Sequence, residues 1–427
     1  MTNQKPTIII IAGGENSRFF PLNTKTHKGF LSLVGQPIVS SALQSLESHG
    51  FTEVVFVVSA KDYKNSEFSQ FLESFKTTLK ITTVLQNEAT GMGDAVLLAQ
   101  NKLHSSFILA SPYYANLGHI ADKLYRKQQD TQAQAVFSGT QTDCPELYGM
   151  LAFNKKNLEQ VSGIIEKPST GSEPSNIKID SVYLFEQNFI TALAKTKKSQ
   201  YSLEETIANF VQQNFVTWIE NTHSVQSLKY PWHLFNLLNQ TFVSMKSYTN
   251  HSATVAKTAV LDDSNGPIKI DENAKIGDFV KIFGPCYIGK NCLVGDYSFV
   301  RGSSLEENST VGANTEVVRS ILFEDSSIHY GYLADSILGH GSKVGAGLIT
   351  ANKRLDRKNV RVLVKNKIVD TGTTALGIIT GEKSLIGIRV NTMPGVLIGA
   401  TATVHPDTSV SRNIAAGGLT HKKATKP

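Results

Sequence analysis

The chain is 427 residues long, too long for one ordinary core, and that length predicts two or three domains. Charged residues make up 18% and apolar residues 41%, a balance that excludes a disordered chain. The formal charge of +6 is uneven: Arg412, Lys422, Lys423 and Lys426 supply +4 of it, and the rest of the chain, near +2, has no broad field for nucleic acid.

Thr7–Ile11 and Val54–Ser59 are short β-branched runs suited to a buried parallel sheet. The first ends at Gly13-Gly14 and is far shorter than a membrane span or a signal peptide, so a strand is expected and no membrane partner. Between the two runs a helix is expected to begin at Pro37, bury Val39, Ala42, Leu43 and Leu46 on one face, and close at Gly50. A second helix over about 94–103 and a strand over 105–109 continue the alternation. That order implies a doubly wound, Rossmann-like α/β domain whose ligand-binding loops lie at the strand ends.

Residues 228–245 are helical in pattern. From about Lys269 the period changes, with Ile270, Ile276, Ile282, Ile288, Val294 and Val300 recurring every sixth residue. A six-residue apolar repeat is the mark of a parallel β-helix, each repeat residue pointing into the core. The register slips near Leu305, resumes at Val311 and Val317, slips again, and runs through Leu322, Ile328 and Ala334. It returns at Ile398, Val404 and Val410, after an excursion over 350–374. The three cysteines, Cys144, Cys286 and Cys292, are odd in number and lack CxxC spacing. That supports neither a disulfide framework nor a zinc site, and it fits a cytoplasmic protein; Cys286 and Cys292, six residues apart, read as core or corner positions.

Two parts of the chain carry chemistry. The run Ile11-Ala12-Gly13-Gly14-Glu15-Asn16-Ser17-Arg18-Phe19-Phe20-Pro21-Leu22 follows a strand. Its glycines admit phosphate close to backbone N–H groups, and Arg18 adds a bidentate donor. It is neither a Rossmann G-x-G-x-x-G nor a P-loop. It resembles the A-G-G-x-G-T-R-L-x-P-L signature of sugar-1-phosphate nucleotidyltransferases. Lys28 falls at that family's second phosphate-binding lysine, with His27 in place of a proline. Further matches follow in order. Gln86 and Gly91 resemble the segment that reads uracil or thymine, Tyr148-Gly149 the sugar-contacting pair, and Ile165-Glu166-Lys167-Pro168 the E-K-P motif whose lysine meets the sugar phosphate.

The resemblance, which spans residues 7 to about 240, implies in-line attack of a sugar 1-phosphate oxygen on the α-phosphorus of UTP or dTTP, with pyrophosphate leaving. It also implies Mg²⁺, with Arg18, Lys28 and Lys167 neutralising phosphate charge. The carboxylates that usually hold the metal are replaced by Ala110-Ser111-Pro112 and by Ser227, leaving its ligands unknown. Asp94 and Asp180 are the substitutes the sequence offers.

In the repeat region Ile328 is an inward position, so His329 beside it should point outward, with Tyr332 three residues on. An outward imidazole can act as a general base toward an amine. His329-Tyr330-Gly331-Tyr332-Leu333-Ala334-Asp335-Ser336 resembles the H-x-N-Y-x-G-D-S segment of bifunctional nucleotidyltransferase/amino-sugar-1-phosphate N-acetyltransferases of the archaeal type. Gly345–Asn352 resembles their G-A-G-T-I-T-A-N. That likeness implies His329 as base, Tyr332 and Asn352 at the acyl-acceptor and coenzyme site, acetyl-CoA as co-substrate, and a homotrimer or higher oligomer.

The expected architecture is a nucleotidyltransferase-like α/β domain over 1–240, a helical linker over 241–265, a left-handed β-helix over 266–412 and a flexible basic tail over 413–427. The expected function is nucleotide-sugar synthesis with acetyl transfer in the β-helix. The alternatives are a nucleotide-binding regulatory or scaffold protein without turnover, and an acetyltransferase alone.

Overall fold

The opening apolar run folds as strand β1 (Thr7–Ala12), with Ile8, Ile9 and Ile10 fully buried. A strand covered on both faces needs apolar side chains on both, which is why this run does not alternate. The computed structural model describes residues 5–14, 16–23, 26–64, 66–222 and 228–420. By compactness the chain forms two units: Met1–Glu15 with Pro37–Gln226, and Asn16–Gln36 with Ser227–Pro427. This division differs from a single boundary at residue 240.

The first unit is built on a nine-stranded sheet. After β1 come β2 (Glu53–Ser59), β3 (Lys80–Gln86), β4 (Phe107–Ala110), β5 (Ala135–Gln141), β6 (Gly149–Asn154), β7 (Asn157–Glu166), β8 (Ile177–Phe185) and β9 (Val216–Glu220). Their order across the sheet is β3-β2-β1-β4-β8-β5-β9-β7-β6. The first four strands are parallel, as the alternating pattern predicts, whereas β8 enters antiparallel to β4 and β5. Helix α1 (Ile38–Ser48) starts after Pro37 and buries Val39, Ala42, Leu43 and Leu46 completely; Gly50 follows with φ of 73°. Helix α2 (Met92–Ala99) is shorter than expected and passes into a 3-10 turn, Gln100–Lys102.

This topology gathers one edge of the sheet. The carboxyl ends of β1, β3 and β4 lie there, and antiparallel β8 begins beside them, Ile177 pairing with Gln141 and Lys178 with Met150. At the same edge Gly149, the first residue of β6, pairs with Glu166, the last of β7.

In the second unit a 3-10 turn, Pro231–His233, leads into helix α3 (Leu234–Ser244). The β-helix begins at once. Tyr248–Thr249 pairs in parallel with Lys269–Ile270, so most of the stretch expected as a helical linker is coil of the β-helix. One face stacks eight parallel strands, from Tyr248–Thr249 to Val396–Ile398. Ile270, Ile282, Ile288, Val294, Val300, Leu305, Val311, Val317, Leu322 and Ile328 are all fully buried in one core, as the six-residue period requires. Two details differ from the sequence reading. After Ile328 the inward row runs through Leu333, which pairs with Val317, while Ala334 pairs with Val318. Within the stretch expected as a flexible tail, the described residues 413–420 are held: Ile414 packs on the core and Leu419–Thr420 pairs with Thr403–Val404. Lys422, Lys423 and Lys426 lie outside the described residues, as do Glu15 and Ser227.

Sharp corners account for the asparagines that punctuate the repeat. Asn273, Asn291, Asn308 and Asp325 all hold φ between 55° and 59°, and each asparagine amide donates to the side-chain oxygen of the next residue in this ladder. Short polar side chains tolerate that left-handed conformation better than others do. The excursion after Thr350 contains an antiparallel hairpin, Arg361–Val364 with Lys367–Asp370. Cys286 and Cys292 are fully buried, and burial pushes both thiols up to about 12, so they are inert members of the core.

Candidate active sites

In the first unit the loop after β1 and the end of β3 meet. Ser59 stands between them in register with Gln86, and a Cβ placed on Gly13 would lie 2.6 Å from Gln86 Oε1. A side chain at residue 13 would therefore displace the Gln86 amide. Gln86 is buried and its amide nitrogen donates to the Gly91 carbonyl at 3.1 Å. Gly91 caps α2 with φ of 116°, and a side chain there would run into the Gln200 carbonyl at 2.8 Å. Ala12, Gly13, Gln86 and Gly91 thus converge, with Gly14 exposed beside them. The Gln86 amide thus ties the glycine loop to the start of α2.

Along the same sheet edge the sugar-site residues form a second group. The Glu166 carboxylate lies over Gly149, where a Cβ would come within 2.6 Å of Oε1. The Lys167 backbone N–H donates to the Tyr148 carbonyl at 2.9 Å, and Lys167 itself holds φ of 48°. Glu166 and Lys167 are exposed, and Lys178 rests over the Tyr148 ring at 4.8 Å.

The carboxylates named as substitute metal ligands are otherwise engaged. Asp94 pairs with Lys198 at 2.9 Å and also receives the Gln86 amide at 3.4 Å. Burial pushes its carboxyl up, but Lys198 and these hydrogen bonds outweigh that and leave it below the usual range. Asp180 is buried; Ser138 donates to one oxygen at 2.8 Å and Thr140 lies within 3.0 Å of both. Burial holds its carboxyl above the usual value. Ser138 and Thr140 escaped the sequence reading, since two hydroxyls inside a strand carry no signal of their own. Among the described residues no three His, Cys, Asp or Glu side chains gather as an ion site, so these residues do not fit a protein-built Mg²⁺ cradle.

Arg18 and Lys28 belong to the second unit. Arg18 is exposed in a 3-10 turn, Ser17–Phe19, and Lys28 opens another, Lys28–Phe30. The Lys28 ammonium donates to the Leu228 carbonyl at 2.6 Å and lies 6.0 Å from the Phe19 ring centre. Burial, then the nearby Arg18 charge, lowers it to about 8. His27 accepts from the Gly29 N–H at 3.2 Å through Nδ1, and burial followed by the Lys28 charge pushes it down to about 3. The histidine is therefore a neutral cap, the acceptor role that a proline here could not fill.

On the β-helix His329 is exposed beside buried Ile328, as strand alternation requires. Tyr332, half-buried on the same strand, pairs in register with Ile349. Asn352 is drawn in by Asp335: its amide donates to Oδ2 at 2.5 Å, while Arg319 grips the same carboxylate through two nitrogens. The structure therefore groups Asn352 with Arg319 and Asp335. The part played by Asp335 was not read from the sequence, although it sits in the motif that carries His329.

A sequence profile described as nucleotidyl transferase matches residues 7–230. The bifunctional sugar-1-phosphate nucleotidylyltransferase/acetyltransferase of Sulfurisphaera tokodaii is 28% identical over 414 residues, which cover 96% of this chain and 98% of that protein. The bifunctional protein GlmU of Methanocaldococcus jannaschii is 27% identical over 422 residues, 97% of each chain. Among solved structures, a UTP-bound UGPase from Acinetobacter baumannii is 16% identical, covers 56% of this chain and 94% of that one, and superposes with a TM-score of 0.49. The family profile spans more than half of the sequence, and the chain belongs to the nucleotidyl transferase family of transferase enzymes.

Proposed function

We propose that this chain is a bifunctional enzyme of nucleotide-sugar synthesis. One reaction transfers a nucleotidyl group from UTP or dTTP to a sugar 1-phosphate; the other N-acetylates an amino-sugar 1-phosphate with acetyl-CoA. The observation that carries this reading is end-to-end likeness to relatives named for both activities, over 96% of the chain.

In the first reaction an oxygen of the sugar 1-phosphate attacks the α-phosphorus. The bond to the β-phosphate oxygen breaks and pyrophosphate leaves. Ala12, Gly13 and Gly14 offer backbone donors to phosphate, Gln86 and Gly91 read the base, and Arg18 and Lys28 neutralise charge. Tyr148, Gly149, Glu166 and Lys167 hold the sugar and its phosphate. Relatives of this kind use a divalent metal, for which Mg²⁺ is the natural ion; here it would be carried by the nucleotide, because Asp94 and Asp180 are committed elsewhere.

In the second reaction the amine nitrogen attacks the thioester carbonyl and the carbon–sulfur bond breaks. His329 takes the proton lost by nitrogen, and the coenzyme leaves as its thiolate. Tyr332 and Asn352 face the acceptor and coenzyme. The exposed strand faces of the β-helix suit packing between copies of the chain as a homotrimer or higher oligomer.

A second reading, acetyl transfer alone, is favoured by one observation: Ala110-Ser111-Pro112 closes β4 without a carboxylate. One incubation series separates the two. Purified protein with Mg²⁺, UTP or dTTP and sugar 1-phosphates should release pyrophosphate; with acetyl-CoA and glucosamine or galactosamine 1-phosphate it should release thiol. Thiol without pyrophosphate selects the second reading. Silence in both assays rejects both readings.

A further inference from the structure

Glu306 breaks the pattern of the β-helix. It follows inward Leu305, and the equivalent positions in the coils on either side, after Ile288 and Leu322, hold Gly289 and Phe323. The fold does not call for a carboxylate at this place, yet Glu306 is fully buried. Burying an ionisable group is costly unless its oxygens are fully engaged. Here they are. Val34 N–H donates to Oε1 and Gly35 N–H to Oε2, both at 2.9 Å, and the Ser304 hydroxyl donates to Oε1 at 2.5 Å.

The turn held in this way is strained. Val34 has φ of 57° and Gly35 φ of 77°, and a β-branched residue in the left-handed region persists only when its surroundings impose it. Tyr287 closes the other side: a Cβ on Gly35 would lie 2.1 Å from its hydroxyl oxygen, and that hydroxyl donates to Asp271 at 3.0 Å. The segment's other end is also pressed on the β-helix, since a Cβ on Gly381 would lie 2.8 Å from the Pro21 carbonyl. Lys28 lies on the segment bounded by these grips, and Arg18 stands three residues before Pro21. Burial, then repulsion by Glu324, pushes Glu306 up to about 7 against the hydrogen bonds from Ser304, Gly35 and Val34.

We infer that Glu306 is a positioning residue for nucleotidyl transfer: its carboxylate fixes the Val34-Gly35 turn and thereby the segment that presents Arg18 and Lys28. This rests on the reading of the chain as a nucleotidyl transferase. A carboxylate accepts two backbone N–H groups at once, whereas an amide oxygen and a methyl group satisfy one and none. Small misplacements of phosphate-binding groups are expensive in rate, on the order of 100-fold per ångström.

The test uses the full-length protein and the variants Glu306→Ala, Glu306→Gln and, as a control, exposed Glu307→Ala. Hydrogen exchange and pyrophosphate-release kinetics are measured on each. Glu306→Ala should raise exchange at Val34 and Gly35 by about 100-fold while peptides over 268–300 keep their protection. It should lower kcat about 100-fold, with KM for the nucleoside triphosphate within about threefold. Glu306→Gln should lose about 10-fold in kcat, and Glu307→Ala should match wild type. Wild-type kcat in Glu306→Ala overturns the inference while leaving the functional reading intact. Loss of β-helix protection in both Glu306 variants also overturns it, since Glu306 is then a residue of the fold. A wild-type protein that releases no pyrophosphate overturns the functional reading and this assignment with it.

Discussion

Arg319 closes a two-point ion pair on Asp335, Nε to Oδ1 at 2.6 Å and Nη2 to Oδ2 at 2.7 Å. Asp335 is nearly buried while the Arg319 side chain is about half exposed, at 8% and 46%. The Asn352 amide shares the second oxygen. One carboxylate thus sets the orientation of an amide and a guanidinium. Asp335→Asn should release both, lowering acetyl transfer at least about 10-fold. Screening of the exposed guanidinium limits the stability loss to about 1–2 kcal/mol. Thiol release and a denaturant melt measure the two effects.

His329 stands exposed on the outer face and no part of the core depends on its ring. Substitution by alanine should remove general-base catalysis, about 10²–10⁴-fold in acetyl transfer. Stability should change by less than about 0.5 kcal/mol. Thiol release beside a thermal melt checks both, and a large stability loss would assign His329 to the fold.

Lys28 predicts a pH profile. Its ammonium is held near 8 by burial and by Arg18, so the charged form proposed to neutralise phosphate declines as pH rises through that value. The ratio kcat/KM for the nucleoside triphosphate, which reports the free enzyme, should fall on the alkaline side with an apparent pKa near 8. Lys28→Met should abolish this limb and lower kcat/KM by about 100-fold or more.

His27 predicts acid sensitivity. Its folded value near 3 lies below the unfolded value of 6.5, so the unfolded chain binds the extra proton between them. Its stability contribution is complete above pH 6.5 and is lost as pH falls through the window toward 3. At pH 5 the loss is about 2 kcal/mol relative to pH 7. Asparagine keeps a capping acceptor but does not titrate, so His27→Asn should flatten this slope in urea melts run at both pH values.

Much of this was legible in the sequence because it rests on period and on glycine. The six-residue repeat fixed the β-helix, since inward positions such as Ile282 and Val300 admit only apolar side chains. Gly91 is required by a positive φ and by a close backbone approach that any side chain would block, and a side chain at Gly13 would displace Gln86. What stayed hidden depends on partners far apart in the chain. The exchange of Ala334 for Leu333 follows from shortened coils, which no local pattern records. The early start of the β-helix at Tyr248 was obscured because its first coils are partly exposed and polar. Glu306 reads as an ordinary surface acid until its contacts with Val34 and Gly35, residues remote in sequence, are seen.

The central claim, that one chain performs two transfers with separate residues, is tested most directly by assaying pyrophosphate and thiol release side by side in Lys28→Met and His329→Ala. The account predicts that Lys28→Met loses pyrophosphate release and keeps thiol release, and that His329→Ala does the reverse. Wild-type rates of both products in both variants would contradict it.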